Sequence, residues 1–149
     1  MAFLWDPSMA VGVPLIDQQH QELFRRVNSL LAIMHRGFAR LETEHLLVFL
    51  AGYTAQHFKA EERLMEHHGF PDQVSHRQAH AAFEQKLEVL RAKFAAEGST
   101  CDLSIAVNRM VCGWLREHTS GADVSLARHL RAVGAQEAAA APPARMARA

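Results

Sequence analysis

Residues 57–80 read HFKAEERLMEHHGFPDQVSHRQAH, and this stretch of the chain decides the fold. His57 and Glu61 lie four residues apart, and so do His76 and His80. A spacing of four places two side chains on the same face of an α-helix, about one turn apart. The Gly-Phe-Pro sequence that separates the two pairs is expected to end the first helix. The stretch therefore predicts two helices that meet at a short turn, each with a pair of potential metal ligands near that turn.

Apolar residues recur at helical spacing along four long segments of the chain. The pattern predicts helices from about residue 18 to 38, from 42 to 67, from 72 to 96 and from 101 or 102 to beyond 118. Asp17 is the expected N-cap of the first helix. The apolar stripes consist of Phe24, Val27, Leu31, Met34 and Phe38; of Leu46, Leu50, Tyr53 and Leu64; of Phe83, Leu87, Leu90 and Phe94; and of Val107, Val111, Trp114 and Leu115.

Short turns between long helices favour antiparallel neighbours, and no segment alternates apolar and polar residues as a strand would. The chain is therefore predicted to be all-α, with an up-down-up-down antiparallel four-helix bundle in a single domain over residues 1–134. Residues 1–16 are expected to form an extended arm across one end of the bundle. A short extra helix is expected over residues 123–133, and the low-complexity segment 135–149 is expected to be disordered.

This topology brings seven potential metal ligands to one end of the bundle, because each of them lies near the matching end of its helix. His118 and Asp123 are five residues apart, which is about 140° around an ideal helix. Both can point inward only where the helix is locally unwound, for instance as a π-bulge near Gly121, or where it ends. The seven residues are His20, His57, Glu61, His76, His80, His118 and Asp123.

The ligand types narrow the choice of metal. Thiolates are absent from the set, which excludes an iron–sulfur cluster or a cysteine zinc site. Imidazole together with carboxylate suits iron, manganese or zinc. Seven ligands are too many for one four-coordinate zinc, whereas two six-coordinate ions offer about twelve positions. Five imidazoles, two bridging carboxylates and a shared oxygen bridge would fill all but roughly one of them, which predicts a dinuclear site with a single vacancy.

The combined pattern His … His-x-x-x-Glu … His-x-x-x-His … His-x-x-x-x-Asp resembles the hemerythrin family in its bacterial single-domain form. The flanking residues agree with it, namely Ile-Asp-Gln-Gln before His20, Phe-Lys-Ala between His57 and Glu61, and Trp-Leu before His118. The resemblance covers residues from about 3 to 131 and implies a hemerythrin-like di-iron domain that binds O2 reversibly.

The resemblance also implies a role for each ligand. His76, His80 and His118 would hold one iron, and His20 and His57 would hold the other, which keeps the open position. Glu61 and Asp123 would bridge the two. The implied cofactor is a pair of iron ions joined by an oxo or hydroxo bridge, with O2 as the ligand.

Spacing places four apolar side chains where they can form a wall around the O2 pocket, excluding water and protons. One further pocket residue differs from the family pattern. The family usually has Ile directly after the last ligand His, and this chain has Thr119 there. A hydroxyl there can admit water or donate a hydrogen bond, so we expect faster autoxidation than with Ile. The expected pocket residues are Phe24, Phe58, Phe83, Leu115 and Thr119.

Charge and composition bear on partners and location. Sixteen basic and sixteen acidic residues give a formal net charge of zero, which argues against a dedicated nucleic-acid binder. No stretch approaches the roughly 18 apolar residues that span a membrane, so no stable membrane insertion is expected. The N-terminal residues lack the pattern of a signal peptide, and two cysteines without one are typical of reduced thiols. We therefore expect a cytoplasmic protein.

The leading interpretation is a non-enzymatic O2 carrier, store or sensor with O2 as its small-molecule partner, and a redox or oxidase partner is conceivable but unidentified. Two other classes stay open at this point. The same centre could serve a di-iron peroxidase, an oxidase or a nitric-oxide-handling enzyme. It could also serve as an iron buffer without O2 chemistry.

Overall fold

The structure, a computed structural model, describes residues 5–34 and 39–134, and within these ranges the regular elements are helical. A 3-10 helix at Pro7–Met9 is followed by five α-helices, and the all-α prediction is confirmed. The α-helices are α1 (Pro14–Met34), α2 (Ala39–His67), α3 (Gln73–Glu97), α4 (Cys101–Ser120) and α5 (Ala122–Ala132).

Contacts between helix ends establish the antiparallel order. His57, near the end of α2, lies against Gln19, near the start of α1. Thr43, near the start of α2, lies 3.3 Å from Ser99 just after α3, as measured between the two hydroxyl oxygens. Nε2 of His80, near the start of α3, lies 3.2 Å from Nε2 of His118, near the end of α4. Sequential helices therefore run in opposite directions, and the predicted up-down-up-down bundle is confirmed.

The turn between α2 and α3 follows the predicted break. Gly69 adopts a φ of 61°, a left-handed conformation that glycine reaches without a Cβ clash. The Phe70 N–H donates to the Met65 carbonyl at 2.9 Å, and the Gly69 N–H faces the Glu66 carbonyl at 3.4 Å. These two bonds form a Schellman motif, which satisfies the last carbonyls of α2 and turns the chain sharply into α3.

Two apolar clusters fill the bundle, with the seven polar candidates lying between them along the helices. On α1, for example, His20 lies between Ile16 of the smaller cluster and Phe24 of the larger one. On α2, the polar pair lies between Tyr53 and Leu64. Every described member of the predicted stripes is buried or half-buried; the Met34 side chain and Phe38 lie outside the described residues. The polar layer is thus closed on both sides by hydrocarbon.

The N-terminal arm differs in detail from the expected extended segment. It contains the 3-10 helix, and α1 begins at Pro14, a residue suited to the first helical position because it lacks an N–H. Asp17 was expected to cap this helix, which is wrong, because it lies inside the first turn. Its carboxylate instead accepts hydrogen bonds from the arm, from Val11 N–H at 2.7 Å and Gly12 N–H at 3.0 Å.

The chain after the bundle folds back as α5, close to the expected bounds of 123–133. The Arg131 side chain of this helix donates to the Val11 carbonyl, so the arm and α5 close the same end of the bundle. The segment expected to be disordered, 135–149, lies outside the described residues. In the described ranges no helix combines the length and apolar character needed to cross a membrane.

Candidate metal centre

The seven candidate ligands lie together at one end of the bundle. One ligand atom from each of Glu61, His76, His80 and His118 falls within 4.8 Å of the others. A second group, with the same separation, consists of His20, His57, Glu61 and Asp123. None of the seven residues is more than 5% exposed. The topology therefore does bring the predicted residues to one place, in two adjoining groups that share Glu61.

The Glu61 carboxylate spans the two groups. Its Oε1 lies 3.2 Å from Nε2 of His57. Its Oε2 lies 3.0 Å from Nε2 of His80 and 3.4 Å from Nε2 of His76. The same oxygen lies 3.9 Å from Nε2 of His118. One oxygen therefore faces each set of imidazoles, as a carboxylate that bridges two metal ions requires.

The Asp123 carboxylate repeats this arrangement from the other side. Its Oδ2 lies 2.9 Å from Nε2 of His20. Its Oδ1 lies 3.0 Å from Nε2 of His118 and 3.3 Å from Nε2 of His76. Both carboxylates thus divide their oxygens between a two-histidine side and a three-histidine side.

The five-residue spacing of the last pair is accommodated by the end of a helix. Helix α4 ends at Ser120, and α5 begins at Ala122. Gly121 between them has a φ of −111° and a ψ of −81°, and its N–H is 3.3 Å from the His118 carbonyl. Of the two alternatives that the sequence left open, a π-bulge or a helix end, the structure has the helix end.

The inward-facing imidazole nitrogens and carboxylate oxygens are better suited to binding a metal ion than to hydrogen-bonding one another. Although they lie close together, many of them have no hydrogen-bond partner among the described residues. Such buried, unsatisfied nitrogens and oxygens are costly unless a cation neutralises them. They point into one shared space, as ligands of imidazole and carboxylate type do in iron, manganese or zinc sites. The unpartnered inward atoms are Nε2 of His20, His57 and His76, Oε1 of Glu61, and both Oδ atoms of Asp123.

Burial and mutual contact set the charges in this layer. Burial lowers the pKa of His57 to about 4, although Glu61 beside it favours the charged form. Burial also opposes charge on His118, but contacts with Asp123 and Glu61 outweigh it and raise its pKa to about 9. Burial disfavours an ionised Glu61, yet the surrounding imidazoles hold its pKa well below its usual value. At neutral pH Glu61 is therefore anionic and His57 presents a neutral lone pair, as metal binding requires, whereas His118 must lose a proton when it binds a metal.

Comparison with known proteins agrees with this geometry. Residues 11–130 match the family described as the hemerythrin HHE cation binding domain. The chain belongs to the hemerythrin family. The matched segment contains all seven candidate ligands of this hemerythrin-family chain.

Individual relatives cover most of this hemerythrin-family chain. A bacteriohemerythrin of Stenotrophomonas maltophilia strain R551-3 is 30% identical over 89% of this chain and 84% of its own length. A hemerythrin-like protein of Naegleria gruberi is 31% identical over 82% of this chain and 88% of its own. A myohemerythrin of Sipunculus nudus is 31% identical over 64% of this chain and 74% of its own. No solved structure matches the chain significantly.

Two residues that sequence reasoning missed contact the outer nitrogens of candidate ligands. Nδ1 of His57 lies 2.7 Å from Oε1 of Gln19. Nδ1 of His80 lies 3.0 Å from Oε1 of Glu62. Their position next to predicted ligands was the only sign of this role in the sequence, because Gln19 directly precedes His20 and Glu62 directly follows Glu61. The Tyr53 hydroxyl, which donates to the Gln19 backbone carbonyl, fastens the same region of α1 to α2.

Aromatic rings surround the imidazoles, and three of the predicted pocket residues are among them. Phe58 stacks on His80, with ring centroids 3.8 Å apart and planes 7° apart. Phe83 packs edge-on against Phe58, with the centroids 6.0 Å apart. On the other side, Phe24 packs against Trp5, whose ring lies 6.2 Å from that of His20. Trp114, which was assigned only to the core stripe, stacks on His118 at 4.4 Å.

The other two predicted pocket residues, Leu115 and Thr119, are also buried. The Thr119 hydroxyl donates to the Leu115 carbonyl one turn earlier in α4. Its hydrogen is therefore used within the helix, which is the common back-bonding geometry of a helical Thr. The lone pairs of the oxygen are still able to accept a hydrogen bond from water.

Proposed function

We propose that this chain binds O2 reversibly at a pair of iron ions held by the seven clustered side chains. The observation that carries the proposal is the division of the two carboxylates. Each of Glu61 and Asp123 directs one oxygen to the two-histidine side and the other to the three-histidine side. Membership of the hemerythrin family supports the same function.

In this proposal the ligands divide as their distances suggest. His76, His80 and His118 would hold one iron, and His20 and His57 would hold the other. Glu61 and Asp123 would each give one oxygen to either iron. The side with two imidazoles offers one ligand fewer than the other side, so an open position would belong there. A site with one vacancy suits one small ligand such as O2.

The iron pair, when bound, supplies the open position and the electrons on which O2 binding depends. The chain's own residues keep this chemistry reversible by excluding water. Apolar clusters close the polar layer on both sides. Phe58 and Trp114 stack on imidazole rings, and Phe83 packs against both of these aromatic side chains. Exclusion of water removes the protons that would release reduced oxygen and leave the iron oxidised.

The donor set favours binding of O2 over its cleavage. Five imidazoles and two carboxylates carry less negative charge than the four-glutamate sets of di-iron oxidases in ferritin-like bundles. Fewer anionic ligands stabilise highly oxidised iron less well. We therefore propose a carrier or storage role rather than an enzymatic one. The free thiols of Cys101 and Cys112 support a reducing compartment such as the cytoplasm.

An anaerobic-to-aerobic optical titration of iron-loaded protein tests the proposal. A carrier develops an oxygenated visible spectrum in air that disappears when O2 is removed, over repeated cycles. Rapid turnover of peroxide or nitric oxide without a lasting oxygenated spectrum would instead identify an enzyme. A reduced protein whose visible spectrum never responds to air would identify a metal buffer.

A further inference from the structure

The outer nitrogens of two candidate ligands face partners of different charge. Nδ1 of His80 is 3.0 Å from a carboxylate oxygen of Glu62, whereas Nδ1 of His57 is 2.7 Å from the amide oxygen of Gln19. The Nε2 atoms of both imidazoles point toward Glu61. An imidazole that gives Nε2 to a metal carries its proton on Nδ1, so both rings donate outward. His80 donates to an anion, and His57 donates to a neutral group.

The Glu62 side chain is held in this position from its solvent side. Its Oε2 lies 4.0 Å from Nε of Arg77, while Nη2 of Arg77 lies 3.5 Å from Glu66. Glu62 is one-third exposed, and Arg77 and Glu66 are more exposed still. Exposed ion pairs of this kind contribute little to stability. Their geometric effect is to turn one oxygen of Glu62 outward and leave the other facing His80.

In the part of the chain that the structure describes, two of the other three imidazoles have no partner at their outer nitrogens. Nδ1 of His20 and Nδ1 of His76 have no hydrogen-bond partner within residues 5–34 and 39–134. In those same ranges, Glu62 is the carboxylate that contacts an outer nitrogen of a candidate ligand. Among the described residues, the three-histidine side therefore has an anion behind one ligand, and the two-histidine side has the neutral amide of Gln19.

We propose that Glu62 makes the three-histidine iron the easier of the two to oxidise, an inference that rests on the proposed di-iron function. A carboxylate that accepts a hydrogen bond from a ligand imidazole raises the basicity of that ligand. A more basic imidazole donates more electron density and stabilises ferric over ferrous iron. Glu62 is thus a positioning residue that acts through His80, and its effect adds to the difference in imidazole number between the two metal positions.

The alternative role of Glu62 is to orient the His80 ring without changing its basicity. Four variants separate the electronic role from the orienting role. Glu62→Gln keeps an oxygen that accepts the Nδ1 hydrogen bond but removes the charge. Glu66→Gln, one turn further along α2, removes a charge that also faces Arg77 but contacts no candidate ligand. Gln19→Glu adds the missing charge behind His57. Glu62→Ala removes both charge and hydrogen bond and should weaken metal binding by about 10- to 100-fold.

The experiment is a spectroelectrochemical titration of the iron-loaded full-length protein, which measures the midpoint potentials of the first and second one-electron oxidations. We expect a more positive first midpoint in Glu62→Gln and native midpoints in Glu66→Gln. Gln19→Glu should make the second midpoint more negative, because Gln19 contacts a ligand of the two-histidine side. A native midpoint in iron-replete Glu62→Gln would overturn the inference.

Three further outcomes are interpretable. Should Glu62→Gln fail to retain iron, Gln19→Glu decides the matter, because an unchanged second midpoint in that variant contradicts an effect of outer charge. A native protein that never takes up an iron pair would overturn the proposed function and this inference together. A native protein with normal iron and O2 binding, but without the shift in Glu62→Gln, overturns this inference alone.

Discussion

Nε2 of His118 and Oδ1 of Asp123 lie 3.0 Å apart, although the two residues are five positions apart in sequence and would diverge on a continuous helix. The end of α4 at Ser120 and the new start of α5 at Ala122 make this contact possible. One helix break therefore brings an imidazole and a carboxylate to the same point, and Gly121 occupies that break.

Gly121→Ala should disturb this break. A Cβ on Gly121 would lie 2.8 Å from the Glu117 carbonyl oxygen, a backbone atom that cannot move freely. We expect a loss of about 1–3 kcal/mol of stability, as for other overpacking changes, together with reduced iron content. Urea unfolding and iron analysis provide the measurements. Gly113→Ala, within α4, is the control, since a Cβ there meets nothing within 4 Å, and it should retain full iron.

Thr119→Ile should slow autoxidation of the oxygenated protein. The buried Thr119 oxygen can accept a hydrogen bond from water, whereas Ile fills the space with hydrocarbon. The measurement is the decay rate of the oxygenated spectrum in air. Thr119→Val removes the hydroxyl at nearly constant volume and should give most of the effect. Native protein that decays as slowly as the Ile variant, or more slowly, would exclude a role for the hydroxyl.

Asp17→Ala should release the N-terminal arm. The carboxylate accepts two backbone hydrogen bonds, from Val11 and Gly12, and bonds to charged groups contribute about 1.5–3 kcal/mol each. Because one bond is part-buried and the other exposed, water replaces much of their contribution, and we expect the free energy of unfolding to fall by about 2 kcal/mol. Asp72→Ala is the matched control, because the Asp72 side chain caps no helix N–H and its loss should cost within about 0.5 kcal/mol. Equal losses in the two variants would contradict the assigned role.

Glu61→Ala and His20→Ala should differ in the iron that they retain. Glu61 belongs to both ligand groups, so its loss should lower the occupancy of both positions. His20 belongs only to the two-histidine group, so its loss should leave the three-histidine position filled. Iron analysis of both variants after identical reconstitution measures the difference. Equal retention in the two variants would mean that the two positions are not separate.

The bundle and the polar layer could be predicted from the sequence, because both depend on the spacing of residues along a single helix. His57 with Glu61, and His76 with His80, are local pairs, and the short turn between them folds one helix back onto the next. Buried apolar residues three or four positions away, namely Tyr53, Leu64 and Phe83, continue the stripe beside each pair. These features need no knowledge of how one helix is aligned against another.

The parts that escaped prediction depend on contacts between elements. Gln19 and Glu62 reach the outer nitrogens of imidazoles on neighbouring helices, and the relative register of those helices is not encoded in either one alone. Asp17 has the sequence context of a helix cap, but the path of the arm over the bundle end brings other backbone N–H groups to it. Whether Gly121 ends a helix or sits in a bulge likewise depends on the packing of α5.

The most direct measurement is the number of iron atoms per polypeptide in purified protein reconstituted anaerobically with ferrous iron. Two facing sets of ligands, joined by Glu61 and Asp123, predict two irons per chain. A value of one or none, in protein that is folded by circular dichroism, would contradict the paired site and with it the proposed mode of O2 binding.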